Sequence, residues 1–267
     1  MQRILGIALL MGVASATLPA AGIFGQFTLD GTVTVTASGL IEWTSNSSPT
    51  PNSEATISSI SNLTGTFLAN NMGGQTVTIN TLTDGPDPMT QQPVGEPFTE
   101  YNFIDFAAAD GLPNLNATDI ATGSGGTSGC STDPATATAP QNCTLNGSTF
   151  PPVPDNGNSP FTFNNYTYTD NTGATLCCTS TATWNISGVT SDGLSTWFGQ
   201  FTATFDTSYQ QQLANFVNTG QVSDAYSGVM TVNVQGIQSV PEPTSWILMA
   251  GGIALLGLGS FRRKRRA

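Results

Sequence analysis

The chain has 267 residues and no histidine, and its six lysine and arginine residues lie only at its two ends. They are Arg3 and the cluster Arg262, Arg263, Lys264, Arg265 and Arg266. The long stretch between them has no positive side chain to neutralise phosphates, which excludes nucleic acid as a partner. Because histidine is absent, Ser-His-Asp and Cys-His catalysis and His-ligated zinc sites are excluded as well. We therefore expect a protein that is not an enzyme.

Negative charge, in contrast, is spread along the stretch between the two ends. All 17 acidic residues lie between Asp30 and Glu242, so every charged side chain there is negative and no side-chain salt bridge can form. The net charge of −11 understates this, because it includes the basic ends. Such a surface repels copies of itself and keeps the protein soluble. Cations, calcium in particular, are its natural counterions.

The last 28 residues form three blocks of different chemistry. Val240, Pro241, Glu242 and Pro243 cannot be helical, because proline lacks an N–H and holds the preceding residue extended. Residues 244–261 then form an apolar run without charge, about 27 Å long as a helix, which is enough to span a thin hydrocarbon core. The basic cluster 262–266 stops the segment on the cytoplasmic side. The pattern predicts a C-terminal transmembrane helix.

This three-block tail, residues 240–267, resembles the PEP-CTERM sorting signal of Gram-negative bacteria. The resemblance implies that a membrane-embedded exosortase recognises the Pro241-Glu242-Pro243 triplet, removes the tail and passes the protein to the outer surface. It also implies a link to exopolysaccharide, because proteins with this signal usually accompany its production. The alternative is an ordinary C-terminal anchor.

The first 21 residues have the pattern of a secretory signal peptide. Arg3 supplies the positive charge, Ile4 to Val13 is apolar, and Ala14-Ser15-Ala16 offers small residues for cleavage, with a second possible cut near Ala21. Together with the tail, this pattern places the precursor in the inner membrane with its body in the periplasm. The mature form is expected at the cell surface or outside the cell.

The body, residues 22–239, has the short alternating runs of threonine, valine, isoleucine and aromatic residues that are typical of β-strands. The clearest run is Thr196 to Phe205, whose alternate residues from Trp197 onward predict the centre of the core. One helix is predicted from Ser208 to Asn218, and residues 107–160 are predicted to be a long surface loop. The sequence therefore indicates a mainly β fold, an antiparallel β-sandwich or jelly roll with one short helix.

Four cysteines lie in this body, and an oxidising compartment favours their pairing as disulfides. Cys130–Cys143 would close a 14-residue loop, worth about 3 kcal/mol in a chain-entropy treatment, and would leave Cys177 to pair with its neighbour Cys178. The alternative pairs both loop cysteines with Cys177 and Cys178, stapling the loop to a strand. We favour the staple, although it requires a bulge, because neighbouring strand residues point to opposite faces.

Other side chains give weaker indications of chemistry. Oxygen ligands for calcium could come from Asp84, Asp87, Asp105 and Asp110, but their spacing is not that of an EF-hand loop. The tryptophans Trp43, Trp184 and Trp197 could stack on a sugar, yet they alternate as core residues do. The function predicted first is a structural or adhesive surface protein. A carbohydrate- or calcium-binding module comes second, and a glycoside hydrolase using two carboxylates comes third.

Overall fold

The computed structural model describes residues 22–36, 40–44, 54–57, 62–83, 93–107, 111–126, 130–145 and 159–235. These residues belong to one compact unit, 22–235. The predicted signal peptide, residues 1–21, and the predicted transmembrane segment, 244–261, lie outside the described residues. Within the described ranges, none of the helices has the length and apolar character needed to cross a membrane.

Antiparallel strands make up most of the described chain, as predicted. The strands are β1 (Gly25–Thr36), β2 (Leu40–Thr44), β3 (Glu54–Ile57), β4 (Thr76–Ile79), β5 (Leu82–Thr83), β6 (Glu100–Phe106), β7 (Leu115–Ile120), β8 (Gln141–Cys143), β9 (Thr162–Thr169), β10 (Thr175–Thr190), β11 (Ser195–Phe205) and β12 (Gln221–Val234). The helices are α1 (Gly65–Ala69) and α2 (Tyr209–Thr219), and a 3-10 turn covers Pro134–Thr136.

The strands form one sheet that curls into a nearly closed, barrel-like shape. Its order is β11-β12-β1-β3-β4-β6-β7-β10, and β10 pairs with β11 to complete the ring. β9 and β8 branch from β10, while β2 and β5 branch from β1. The prediction of a two-sheet sandwich or jelly roll is therefore wrong. Alternation along a strand shows which face is buried, but it does not show whether the opposing face belongs to a second sheet or to the same one.

The inner face of the sheet holds a cluster of aromatic side chains. In β11, Trp197, Phe201 and Phe205 are buried on one face, as the alternation predicted. The Phe201 ring lies 4.8 Å from that of Trp43 and 5.5 Å from that of Trp184, centroid to centroid. Each of these large side chains contributes substantially to the hydrophobic stabilisation of the interior by its burial.

Helix α2 confirms the helix that was predicted from Ser208 to Asn218. The Ser208 hydroxyl accepts a hydrogen bond from the Gln211 N–H, and Gly220 ends the helix in the left-handed conformation with φ 75°. Tyr209 and Leu213 are buried, whereas Val217 is 59% exposed and does not belong to the packed face.

Two features differ from their predictions. One helix was expected, but a second short helix, α1, is present and packs Phe67 4.5 Å from Phe27, ring centroid to ring centroid. The predicted loop 107–160 contains β7, a member of the ring, and β8. Asparagine, threonine and aspartate fill half of β7 and hid its strand character, although its ends, Leu115 and Ile120, are buried.

Candidate functional site

Both ends of the described unit lie at one end of the barrel-like body. At the start of β1, Gly25 pairs with Val232 near the end of β12. The Ser195 hydroxyl donates to the Ile23 carbonyl at 2.8 Å, and the Gln235 N–H donates to the Leu194 carbonyl at 2.9 Å. We call this region, residues 22–25, 190–195 and 232–235, the tail end. The predicted recognition residues Val240 to Pro243 and the basic cluster 262–266 lie outside the described residues.

A two-stranded ribbon, residues 166–177, lies at the opposite end of the body. Strand β10 begins in the ribbon at Thr175 and finishes at Thr190, which contacts Ser195 at the tail end. A strand of this length spans about 50 Å. Tyr166 and Tyr168 of the ribbon are 51% and 41% exposed. The ribbon is therefore the part of the body that points away from its two ends.

The cysteines pair as Cys130–Cys143 and Cys177–Cys178, so the favoured staple is wrong. Cys143 lies opposite Phe163 of β9, while Cys177 lies opposite Thr167, four residues farther along that strand. Four strand residues span about 13 Å, beyond the Cα separation that a disulfide tolerates. A bulge lies between Cys177 and Thr179, although the staple that was expected to require one is absent.

A buried network of side-chain amides, rather than a disulfide, attaches the loop closed by Cys130 and Cys143 to the rest of the body. The Asn165 Nδ2 donates to the Thr138 carbonyl at 3.1 Å and to the Gln210 Oε1 at 2.9 Å, and its Oδ1 accepts from the Tyr209 N–H at 3.0 Å. The Gln210 Nε2 donates to the Gln141 Oε1 at 2.6 Å. Asn165 and Gln210 thus join β9, α2 and the loop. Sequence reasoning missed this network, because no local pattern relates residues 138, 165 and 210.

The three tryptophans predicted to be core residues are buried, so they offer no sugar-stacking surface. Trp197 also donates its Nε1–H to the Asn116 carbonyl at 2.8 Å, which links β11 to β7. The exposed aromatic side chains include Tyr101, Tyr166, Tyr168 and Phe198. Of these, Tyr166 and Tyr168 share one face of one strand.

One groove, of about 480 Å³, opens beside β4 and β6. It is lined by Thr76, Thr78, Asp105, Phe106, Ala107, Leu112, Pro113, Asn114 and Ser191. Its lining therefore holds one carboxylate, whereas glycoside hydrolysis of the usual kind needs two. The other predicted calcium ligands, Asp84, Asp87 and Asp110, lie outside the described residues. In the part of the chain that is described, no three potential metal-ligating side chains come together.

Carboxylates repel one another in a body without cationic side chains. Burial raises the pKa of Asp224, and the nearby Asp206 charge raises it further, against a hydrogen bond from the Ala225 N–H that lowers it. The carboxylate in the turn of the ribbon, Asp170, has a pKa shifted in the opposite direction. There a hydrogen bond from the Thr172 hydroxyl, at 2.7 Å, lowers the pKa of Asp170, and N–H groups of the turn add to that effect.

Tyr226 leads to a prediction on alkaline stability. Its buried hydroxyl has no hydrogen-bond partner among the described residues, and burial together with the Asp30 charge raises its pKa far above 10. Above a pH of about 10 the Tyr226 hydroxyl ionises in the unfolded chain but not in the folded one, so the folded state loses stability as the pH rises further. Below a pH of about 10 this loss is absent. Burial also raises the pKa of Tyr209, to about 12.

We expect Tyr226→Phe to unfold at a higher pH than the wild type in an alkaline titration followed by circular dichroism. At pH 7 the variant should be at least as stable as the wild type, because it loses no hydrogen bond. Phe201→Tyr, which adds a hydroxyl to the same core, is the matched control and should lower stability at both pH values. A loss of more than about 1 kcal/mol for Tyr226→Phe at pH 7 would show that the hydroxyl has a partner.

Comparison with known proteins bears on the tail. A family model for the PEP-CTERM protein-sorting motif matches residues 239–266. The match contains the whole Pro241-Glu242-Pro243 triplet and the basic cluster, as the sequence predicted. No curated protein and no solved structure matches the chain. The motif implies exosortase processing of a membrane-associated precursor that is exported to the cell surface.

Proposed function

We propose, from the premise that this chain is an exosortase-sorted surface protein, that its body acts structurally or adhesively in the extracellular matrix. The observation that carries the proposal is the position of its ends. Residues 22 and 235 lie together at the tail end, while the ribbon and α2 lie at the opposite end of the body. A body of this shape suits a molecule that makes its contacts through the end away from its two chain ends.

The charge distribution supports the same proposal. Once both basic ends are removed, the body carries only negative side chains and is repelled by anionic lipid surfaces. It is therefore suited to leave the membrane and to remain soluble in a matrix of exopolysaccharide. Calcium stays the counterion that we expect for its carboxylates, because oxygen ligands are those that calcium prefers.

A second candidate function, binding of a neutral glycan, is favoured by the groove beside β4 and β6. Hydroxyl, amide and carboxylate groups of Thr76, Asn114 and Asp105 line it together with the apolar Phe106 and Leu112. Such a mixture of polar and apolar groups is typical of small-ligand sites. A glycan screen with wild-type and Asp105→Asn protein tests it, and binding that is unchanged by the substitution would exclude this groove.

The proposed sorting route is tested by replacing Pro241, Glu242 and Pro243 with alanine. We expect the variant to accumulate at the inner membrane and the surface fraction to fall by about tenfold or more, because alanine permits the helix that proline forbids. Cell fractionation and immunoblotting measure both pools. Gln238→Ala, just outside the matched segment, is the control and should reach the surface normally. Normal release of the triplet variant would contradict the exosortase route.

A further inference from the structure

The ribbon contains a strand edge that has no partner in the described part of the chain. β8 pairs with β9 only at Phe163, Asn164 and Asn165. From Tyr166 to Thr169, the described pairing of β9 is with β10 alone. The outer edge of a strand presents a row of N–H and C=O groups, and the ligand that satisfies such a row is another extended strand.

We propose that this β9 edge pairs with the same edge of a second copy of the chain, so that two ribbons form one four-stranded antiparallel sheet. The inference rests on the proposed surface function and identifies a second copy of the chain as the partner that the ribbon contacts. The edge of β10 in the ribbon is less suitable, because the bulge between Cys177 and Thr179 interrupts its regular spacing. An edge that pairs with the same edge of a second copy gives a closed pair rather than an open fibre.

The sequence of the edge is self-complementary in one register. A two-fold axis through Thr167 places Tyr166 of one copy opposite Tyr168 of the other, on the same face of the sheet. Within each ribbon, Tyr168 already lies opposite Leu176, which is 39% exposed. The pair would therefore bury four tyrosines and two leucines on one continuous face. A shift by one residue would oppose tyrosine to threonine and lose this match.

Charge favours a second copy over a basic partner at this edge. Neither β9 nor β10 contains a charged residue. The single charge of the ribbon, Asp170, lies in its turn, where the carboxylate accepts from the Thr172 hydroxyl and the Ala174 N–H at 2.7 and 2.9 Å. A basic protein would bind the carboxylates elsewhere on the body and gain nothing here. The edge also lacks the lysine or proline with which exposed strands are commonly protected.

The projection of the ribbon reduces the repulsion between the two anionic bodies. Surface charges are screened beyond about 8 Å at physiological salt, so bodies held apart by their ribbons interact weakly. We therefore expect association to strengthen as salt rises. Contact with a basic partner would weaken instead.

Opposite charges placed on the edge test the pairing. The exported protein is prepared in two forms, one with Tyr166→Lys and Tyr168→Lys and the other with Tyr166→Glu and Tyr168→Glu. Sedimentation velocity over a range of concentrations should show a reversible wild-type dimer. Each form alone should dimerise about tenfold more weakly or worse, and an equimolar mixture should recover the dimer, because lysine then opposes glutamate. Phe198→Lys, on β11 and 46% exposed, should dimerise as the wild type does.

Three results would overturn the inference: a monomeric wild type at every concentration and salt, charged forms that dimerise as the wild type does, or a mixture that stays monomeric. A monomeric wild type whose binding to a neutral glycan is lost in both forms would assign the ribbon to carbohydrate. Circular dichroism of each form checks folding. A monomer that still reaches the surface overturns only the pairing, whereas failure of the wild type to reach the surface overturns the proposed function.

Discussion

Phe201→Ala is expected to destabilise the body by about 3 to 5 kcal/mol, because it removes a ring from the centre of the core. The side chain is fully buried and touches three aromatic neighbours. Its ring centroid lies 4.8 Å from that of Trp43, 5.5 Å from that of Trp184 and 6.0 Å from that of Tyr226. The cavity lies inside a curled sheet whose hydrogen-bonded strands cannot collapse into it.

Phe198→Ala provides the matched control, since it removes the same ring from the opposite face of the same strand. Because Phe198 is exposed, its loss should change stability by less than about 0.5 kcal/mol. Guanidinium chloride unfolding followed by tryptophan fluorescence measures both variants. Equal losses would mean that β11 does not have the buried and exposed faces described above.

Gly188→Ala is expected to cost about 3 kcal/mol, because β10 and β7 approach too closely there to admit a methyl group. A Cβ at Gly188 would overlap the Asn116 carbonyl oxygen and come within 2.7 Å of the Trp197 Nε1. That carbonyl also accepts the hydrogen bond of Trp197, so moving it away breaks a buried contact. The substitution therefore tests the closure of the ring at its β7–β10 junction.

The neighbouring Ser187→Ala should change stability by less than about 0.5 kcal/mol, because Ser187 lies on the other face of β10. Thermal unfolding of both variants, followed by circular dichroism, separates the two positions. A Gly188→Ala protein as stable as Ser187→Ala would exclude the close β7–β10 contact.

Features set by local chemistry were predicted from the sequence. The period of two in β11 identified its buried face, and the helix predicted from Ser208 to Asn218 is α2. The tail is local in the same sense, because its triplet, apolar run and basic cluster follow one another directly. Each of these features needs only neighbouring residues to be recognised.

Features set by distant residues were not predictable in the same way. Closure of the ring depends on the pairing of Thr181 with Thr204, and of Ile186 with Ile120, which no local pattern encodes. The register of β8 and β10 against β9, which separates Cys143 from Cys177, is set by distant residues as well. The edge of the ribbon that lacks a partner among the described strands, likewise, becomes visible only once the other strand pairings are known.

The central claim is that the positive charges stay with the membrane while the anionic body leaves it. Intact-mass spectrometry of the protein collected outside the cell tests this claim most directly. We predict a mass from which residues 1–21 and the basic cluster 262–266 are both missing. An exported molecule whose mass still includes Arg262 to Arg266 would contradict the account.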